Sequence, residues 1–155
     1  MHGVDKARLR ADLLAQLEAQ LAAARAAHAA ATEGAIDDEA RPENDKDTRG
    51  LEQSYLARGH AQRVAELEAA ITAVAVMPTG PQTRVAIGAL VMVSEDDRER
   101  CFYIASHGGG VELGKATVVT PSSPIGRALL GKAVDDECEL AAAAGPRTLL
   151  IASVQ

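Results

Sequence analysis

The stretch Glu33–Asp47, EGAIDDEARPENDKD, separates two long helix-forming segments and decides how the first half of the chain folds. It carries seven carboxylates and two cations, a local charge of −5, whereas the whole chain of 155 residues carries −6. The other 140 residues are therefore nearly neutral. Like charge concentrated in this way indicates either a solvated turn or a functional surface.

The segments on both sides of this stretch have the pattern of helices that pack together. The first, about Asp5–Thr32, lacks Pro and Gly and is rich in strong helix formers. The second runs from an N-cap at Asp47 or Thr48 to Met77, just before Pro78. Each has an apolar seam with alternating steps of three and four residues. The seams are Leu14, Leu17, Leu21, Ala24, His28 and Ala31, and Ala57, His60, Val64, Leu67, Ile71 and Val74.

The two seams match each other as an antiparallel pair. Residues whose numbers sum to 88 fall opposite each other in all six layers, and the mirror point is Asn44. Antiparallel packing requires a constant sum, because numbers rise along one helix as they fall along the other. The pattern predicts an antiparallel coiled-coil hairpin over residues 1–77 with an acidic tip at 33–47. The layer of His28 and His60 is either a pair of neutral imidazoles or a pH-sensitive layer.

The second half of the chain has the pattern of a β-sheet. Beyond a Pro/Gly break at 78–84, PTGPQTR, short apolar runs alternate with turn residues. We therefore expect a linker at 78–84 and a small antiparallel β-sheet domain over 85–155, so that the fold class is α+β. The predicted strands are Val85–Val93, Cys101–Ala105, Ala116–Val119, Cys138–Ala141 and Thr148–Val154, with loops at Glu95–Arg100 and His107–Gly110. One short helix is predicted between Ser123 and Gly131.

Composition argues against several classes of function. Two Tyr, one Phe and no Trp make a base-stacking surface unfavourable, and the acidic balance disfavours non-specific nucleic-acid binding. Cys101 and Cys138 form no CxxC pair, which indicates neither a zinc site nor a disulfide framework. No apolar run is long enough for a membrane span or a signal core. We expect a soluble, cytoplasmic protein that does not contact membranes.

Two short motifs resemble catalytic signatures but lack the residues that would complete them. Gly126–Lys132, GRALLGK, matches the start of a phosphate-binding P-loop, yet Ala133 replaces the magnesium-binding Ser or Thr. The interval between its glycines is also predicted to be the helix itself. His107–Gly110, HGGG, resembles an oxyanion loop, but the chain has no GxSxG nucleophile elbow. Neither motif predicts catalysis.

One longer segment carries a family resemblance. Thr120–Glu137, TPSSPIGRALLGKAVDDE, resembles the SPxGxALxGKxxGD segment of the Gre family of bacterial transcription elongation factors, GreA and GreB. Pro42–Asn44 and Arg63–Glu68, RVAELE, are similar to the tip and the returning helix of that family. The resemblance covers nearly the whole chain and implies an FKBP-like C-terminal domain. It implies a monomer that binds RNA polymerase, inserts its hairpin into the secondary channel and contacts the nascent RNA indirectly.

The same resemblance implies which residues act at the tip. Tip carboxylates of the family help hold a Mg²⁺ ion shared with the polymerase active site, and the protein alone does not bind it stably. The cleavage-active family tip has Asp-x-x-Glu, and the matching residues here are Ala40–Glu43, so Glu43 is present and the Asp is missing. We expect Glu43 with Glu39 or Asp38 to be catalytic, and Glu43 and Glu39 to be metal ligands. The expected polymerase-binding residues are Pro121, Ser122, Ser123, Pro124, Ile125 and Gly126.

Three functions are consistent with these features. The first is a factor, not itself an enzyme, that stimulates RNA polymerase to cleave backtracked RNA. The second is a non-cleaving regulator that occupies the same channel. The third is a prolyl isomerase or peptide-binding module, which the scarcity of aromatic residues, Phe102 and Tyr103, makes unfavourable.

Overall fold

The computed structural model describes residues 4–40 and 46–155, with the side chains of 35–40, 46–51, 53 and 54 outside the description. The described residues begin with a pair of long helices and continue into a sheet of six strands with one short helix. The elements are α1 (Lys6–Ala40), α2 (Lys46–Ala75), β1 (Leu90–Glu95), β2 (Arg98–Ile104), β3 (Glu112–Leu113), β4 (Ala116–Val119), α3 (Pro124–Leu129), β5 (Glu137–Leu140) and β6 (Arg147–Val154). The predicted fold class is confirmed. Among the described helices, none is both long and apolar enough to span a bilayer.

The helices extend further into the acidic stretch than the sequence predicts. The expected loop began at Glu33, but α1 continues to Ala40 and α2 already begins at Lys46, so the proposed N-caps lie inside α2. A single Gly34 costs a helix only about 1 kcal/mol, which its neighbours offset. In the sequence Pro42 follows soon after Ala40, and the residue before a proline disfavours the helical conformation.

The described chain divides into two compact units. The sheet unit comprises Met1–Leu14 and Thr72–Gln155, and the hairpin unit comprises Ala15–Ile71. The first turns of α1 therefore belong with the sheet. Each unit is described separately below.

In the hairpin unit, two side-chain hydrogen bonds place the helices next to each other. Arg63 Nη2 donates to Gln20 Oε1 at 3.2 Å, and Arg25 Nη2 donates to Glu68 Oε1 at 3.4 Å. A parallel arrangement would put the start of α2 roughly 55 Å from the end of α1. The five connecting residues can span only about 20 Å, so the helices run antiparallel.

The predicted seam is buried in the middle of the hairpin unit. Its buried members are Leu17, Leu21, Ala24, Ala31 and Leu67, and Ala70 is buried beside them. His28 and His60 are half-buried, and Nδ1 of His28 has no hydrogen-bond partner among the described atoms. Leucine and alanine at the predicted spacing thus hold the two helices together by apolar burial.

The sheet unit contains a mixed sheet with the strand order β3-β4-β2-β1-β6-β5. All neighbouring strands are antiparallel except β2 and β4, which are parallel. The expectation of a wholly antiparallel sheet is therefore wrong for this one pair. Alternation along a strand specifies its faces but not its neighbour, and the connection through residues 105–115, which include β3, brings β4 back parallel to β2.

The loop between β1 and β2 is shorter than predicted. The strands pair from Leu90↔Tyr103 to Glu95↔Arg98, which leaves only Asp96 and Asp97 in the turn. Both aspartates have positive φ, 49° and 63°, as a two-residue type I′ hairpin requires.

Both faces of this sheet are covered. One face carries the main core, in which Phe102 and Ile104 pack with strand residues and with Leu129 of α3. On the other face Tyr103 is fully buried, and Leu13 lies against Gly108, where an added Cβ would approach Leu13 Cδ1 to 2.7 Å. The seam predicted that Leu14 is buried. In the structure Leu13 is the buried residue, and Leu14 is only half-buried.

The first turns of α1 are fixed to their own unit by two basic side chains. Lys6, only 6% exposed, donates from Nζ to the main-chain oxygens of Gly80 at 2.6 Å and Gln155 at 3.0 Å. Burial lowers the pKa of Lys6. Arg10 Nη1 donates to the carbonyl of Met77 at 2.6 Å. All three acceptors are main-chain oxygens, so no acceptor side chain has to be ordered. The bonds therefore fix the position of the first turns of α1 along these main-chain segments.

Candidate functional site

The acidic tip is described in part. Asp38 and Glu39 lie in the last turn of α1, which ends at Ala40, and their side chains are outside the described residues. Glu43 lies wholly outside them. Their roles as catalytic residues and metal ligands therefore stay predictions. Where side chains are described, no group of three or more His, Cys, Asp or Glu could hold a metal ion.

The predicted polymerase-binding residues form a loop with strong internal hydrogen bonding. Ser123 is the N-cap of α3: its Oγ accepts from the amide of Gly126 at 3.0 Å and donates to the carbonyl of Thr120 at 2.7 Å. Arg127 Nε donates to the carbonyl of Ser122 at 2.9 Å. The loop is thus fixed at its start, its middle and the first turn of the helix.

The glycine in this segment is required by close packing. An added Cβ at Gly126 would collide with the carbonyl oxygen of Thr120, and the carbonyl carbon would lie at 2.8 Å. Gly126 is buried, whereas Ser122 and Pro124 are exposed. Five of the six predicted binding residues reach the surface at least in part, and Gly126 instead allows helix α3 to approach the preceding chain.

The second part of the segment forms a turn onto β6. Asp136 Oδ2 accepts from the amide of Ala133 at 2.8 Å, and the amide of Asp135 donates to the carbonyl of Ile151 at 2.9 Å. Gly131 and Asp135 have φ of 80° and 74°. Asp135 occupies the position at which the family segment has glycine. A positive φ at this position explains the preference for glycine, which adopts such a φ without steric cost. Gly126 lies inside α3, so the stretch from Gly126 toward Gly131 is helix and not a phosphate-binding loop.

A cleft of about 610 Å³ lies beside the Ser123 loop within the sheet unit. Strands β2 and β4, the start of α3 and the end of β5 form its walls, and Phe102, Ile125 and Leu140 contribute apolar surface. The two charged residues that line it are Arg100 and Arg147. The sequence analysis did not find this cleft, because its residues come from six separate segments with no common spacing.

The two arginines of the cleft have different surroundings. Arg147 binds Glu95 through two bonds, Nε to Oε2 at 2.7 Å and Nη2 to Oε1 at 2.5 Å. This pairing lowers the pKa of Glu95 and raises the pKa of Arg147. Arg100 instead lies over the Phe102 ring, with its guanidinium carbon 4.9 Å from the ring centre.

The structure weakens two other readings of the domain. Burial raises the pKa of the Cys101 and Cys138 thiols, which disfavours the reactive thiolate. Phe102 is the sole aromatic residue among those lining the described cleft, since Tyr103 is buried on the opposite face. A prolyl isomerase pocket rich in aromatic side chains is therefore not formed.

Comparisons with known proteins support the likeness suggested by the sequence. Residues 80–155 match the family described as "Transcription elongation factor, GreA/GreB, C-term". None of the curated proteins matches the chain in sequence.

Solved structures of related factors also resemble the chain. GreA factor homolog 1 (Gfh1) of Thermus thermophilus is 18% identical, with a TM-score of 0.41 over 92% of this chain and 94% of its own. Gfh1 of Thermus aquaticus is 20% identical, with a TM-score of 0.43 over 90% and 92%. A GreA/GreB factor of Nitrosomonas europaea is 22% identical, with a TM-score of 0.39 over 57% and 78%. At these values the likeness carries no argument about function.

The assignment therefore rests on the C-terminal domain, where the family match and the geometry of the Ser123–Asp136 segment agree. Residues 80–155 therefore form a domain of the GreA/GreB C-terminal family of transcription elongation factors.

Proposed function

We propose that this protein binds bacterial RNA polymerase through its C-terminal domain, enters the secondary channel with its hairpin and stimulates cleavage of backtracked RNA. The observation that carries the proposal is the union of a GreA/GreB C-terminal domain with an acidic segment that joins two antiparallel helices. In this proposal the protein is not an enzyme by itself, because the polymerase supplies most of the reacting centre. It acts in the cytoplasm as a monomer.

The position of the acidic residues supports a functional tip. Asp37, Asp38 and Glu39 occupy the last turn of α1, where the exposed carbonyl groups make the helix end negative. A carboxylate there costs typically 0.3–1 kcal/mol, and no basic residue lies in that turn to offset it. Such a placement does not serve the stability of the isolated hairpin, and it suits a site that attracts a cation.

The donor chemistry fits the ion that the family implies. Glu43, together with Glu39 or Asp38, would help hold Mg²⁺, which prefers carboxylate oxygens and retains several waters. A bound Mg²⁺ supplies charge neutralisation at the scissile phosphate and makes a coordinated water more acidic. The chain contributes the carboxylates, and the antiparallel helices present them at the turn of the hairpin.

A second candidate function follows from the helical backbone at Ala40. Successive residues of a helix are about 100° apart around its axis, so positions 38 and 39 of α1 lie about 200° and 100° around the helix from position 40, where the family has the missing Asp. Either carboxylate replaces it only if the last turn of α1 unwinds. This observation favours the alternative, a non-cleaving regulator that occupies the channel with the same tip.

Transcript cleavage by stalled elongation complexes distinguishes the two functions. A stimulating factor shortens the RNA, Glu43→Ala abolishes the shortening, and Glu33→Ala, which removes an equal charge about two turns before the helix end, retains most of it. Ala40→Asp restores Asp-x-x-Glu and is expected to raise cleavage further. The regulator is supported instead if the wild-type protein slows elongation without shortening the RNA and the Ala40→Asp variant gains cleavage. A wild-type protein that neither binds polymerase nor alters elongation contradicts both.

A further inference from the structure

The charges in the cleft beside the Ser123 loop are opposite to those of the chain as a whole. The chain carries −6, yet the described residues that line this cleft include two arginines and neither Asp nor Glu. Arg147 is already bound by both oxygens of Glu95. The pKa of Glu95 is lowered chiefly by this hydrogen bond from Arg147 and to a smaller extent by the charge of Arg100. Because Glu95 forms its hydrogen bonds with Arg147, Arg100 is the arginine of the cleft that is open to a partner.

Arg100 is exposed and its orientation is fixed. Its guanidinium lies 4.9 Å from the centre of the Phe102 ring, while Phe102 itself is only 1% exposed and belongs to the rigid core. Within the described part of the chain, no carboxylate lies within ion-pair distance of Arg100. A guanidinium that lies over a ring can still donate from its N–H groups to a carboxylate through two bonds.

Apolar side chains line much of the rest of the cleft. Phe102, Ile125 and Leu140 come from β2, α3 and β5, and they leave a cleft of about 610 Å³, large enough for one or two side chains. An occupant that matches both features has an apolar side chain next to an acidic one. Neither feature alone selects that combination, because an apolar cleft accepts many side chains and a single exposed arginine binds carboxylates weakly.

We propose that Arg100 is a specificity-determining residue for docking: the cleft accepts a segment of RNA polymerase in which an apolar side chain adjoins an Asp or Glu. The apolar side chain enters between Phe102 and Ile125, and the carboxylate binds Arg100. This inference rests on the proposed function, since the occupant is part of the polymerase. Beyond the proposed function, it specifies that the docking segment of the polymerase is acidic, which the fold alone does not indicate.

The test is the affinity of the full-length protein for core RNA polymerase at several salt concentrations. Arg100→Glu is expected to weaken binding about tenfold or more at low salt, with a smaller difference at high salt. Arg100→Lys keeps the charge and retains most of the affinity. The matched control is Arg8→Glu, an equal charge reversal at an exposed residue that lines neither this cleft nor the surface depression next to Arg100, and it changes affinity less than about twofold.

The outcomes separate this inference from the proposed function. If wild type binds and Arg100→Glu binds as tightly as Arg8→Glu, the inference is wrong while the proposed function stands. If wild type does not bind core polymerase, both are wrong. Arg100→Gln, which preserves the size and planarity of the side-chain end, serves as a second variant should Arg100→Glu lower the melting temperature, and it is also expected to weaken binding.

Discussion

The two units of this protein achieve order in different ways. In the hairpin unit, a repeated seam of Leu and Ala is buried, and the two interhelical hydrogen bonds shown above, at 3.2 and 3.4 Å, join exposed side chains. In the sheet unit, individual residues make specific contacts. Ser123 caps α3, Gly126 allows α3 to approach the Thr120 carbonyl closely, and Arg147 binds Glu95. The hairpin is therefore specified by a pattern that many sequences satisfy, whereas the sheet unit is specified by individual positions.

The largest expected effect tests a single position of the sheet unit. Gly126→Ala forces a methyl group against the Thr120 carbonyl, and we expect a loss of about 3 kcal/mol in the free energy of unfolding. Urea denaturation followed by circular dichroism measures it. Gly80→Ala is the matched control, since nothing lies within 4 Å of its added Cβ, and it changes stability little. Equal stability of the two variants would show that α3 can move away from Thr120.

A Gly→Ala substitution in the hairpin unit is expected to change stability in the opposite direction. Gly59 lies inside α2 with nothing within 4 Å of an added Cβ, so Gly59→Ala should stabilise the helix by about 1 kcal/mol. Hydrogen exchange of peptides from 46–75 reports the change locally. Ala61→Gly, two residues further along the exposed surface, should accelerate exchange by a similar factor. A destabilising Gly59→Ala would contradict the view that only the pattern matters here.

A smaller gain is expected where the sheet unit departs from its family. Asp135 has φ 74°, and Asp135→Gly should stabilise the unit by about 0.5 kcal/mol, because relief of backbone strain exceeds the added entropy of the unfolded chain. Thermal unfolding measures the change. Glu139→Gly, in strand β5, should lower stability, because no strain is relieved there. A lower melting temperature for Asp135→Gly would indicate that its side chain has a role of its own.

The smallest expected effect is a pH dependence of the Glu95–Arg147 pair. The hydrogen bond from Arg147 lowers the pKa of Glu95 in the folded protein. The stability it gives is therefore present above the unfolded pKa of about 4.3 and is lost as pH falls through the folded pKa. The melting temperature of Glu95→Gln should lie below that of wild type at pH 7 and approach it below about pH 4. For Glu99→Gln, which removes a charge without an ion pair among the described residues, the difference from wild type should not narrow in this way.

Periodic features could be predicted from the sequence, and non-local ones could not. The seam of α1 and α2, strand β4 at Ala116–Val119 and helix α3 after Ser123 all follow from local spacing or capping. Strand β3 at Glu112–Leu113 was missed because two residues show no period. The parallel pairing of β2 with β4 depends on where the chain returns, which no local signal encodes.

The candidate sites divide along the same line. The Ser123–Asp136 segment was recognised because its residues are consecutive, and the structure now gives reasons for Ser123, Gly126 and Asp136. The cleft and Arg100 could not be predicted, since they depend on strands that meet only in the fold. The end of α1 at Ala40, rather than near Thr32, required weighing Gly34 against Pro42. At Asp38, Glu39 and Glu43, the tip assignment stays a prediction.

The bonds around Ser123 also affect how fast and how selectively a partner can dock. Its hydroxyl is engaged on both sides, by the Gly126 amide and the Thr120 carbonyl, before any partner arrives. The conformational entropy of this loop is therefore lost during folding and not during binding. A complex can then form in few steps, because the loop needs little rearrangement. A partner meets a surface of fixed shape, and mismatched partners cannot be accommodated by adjusting the loop.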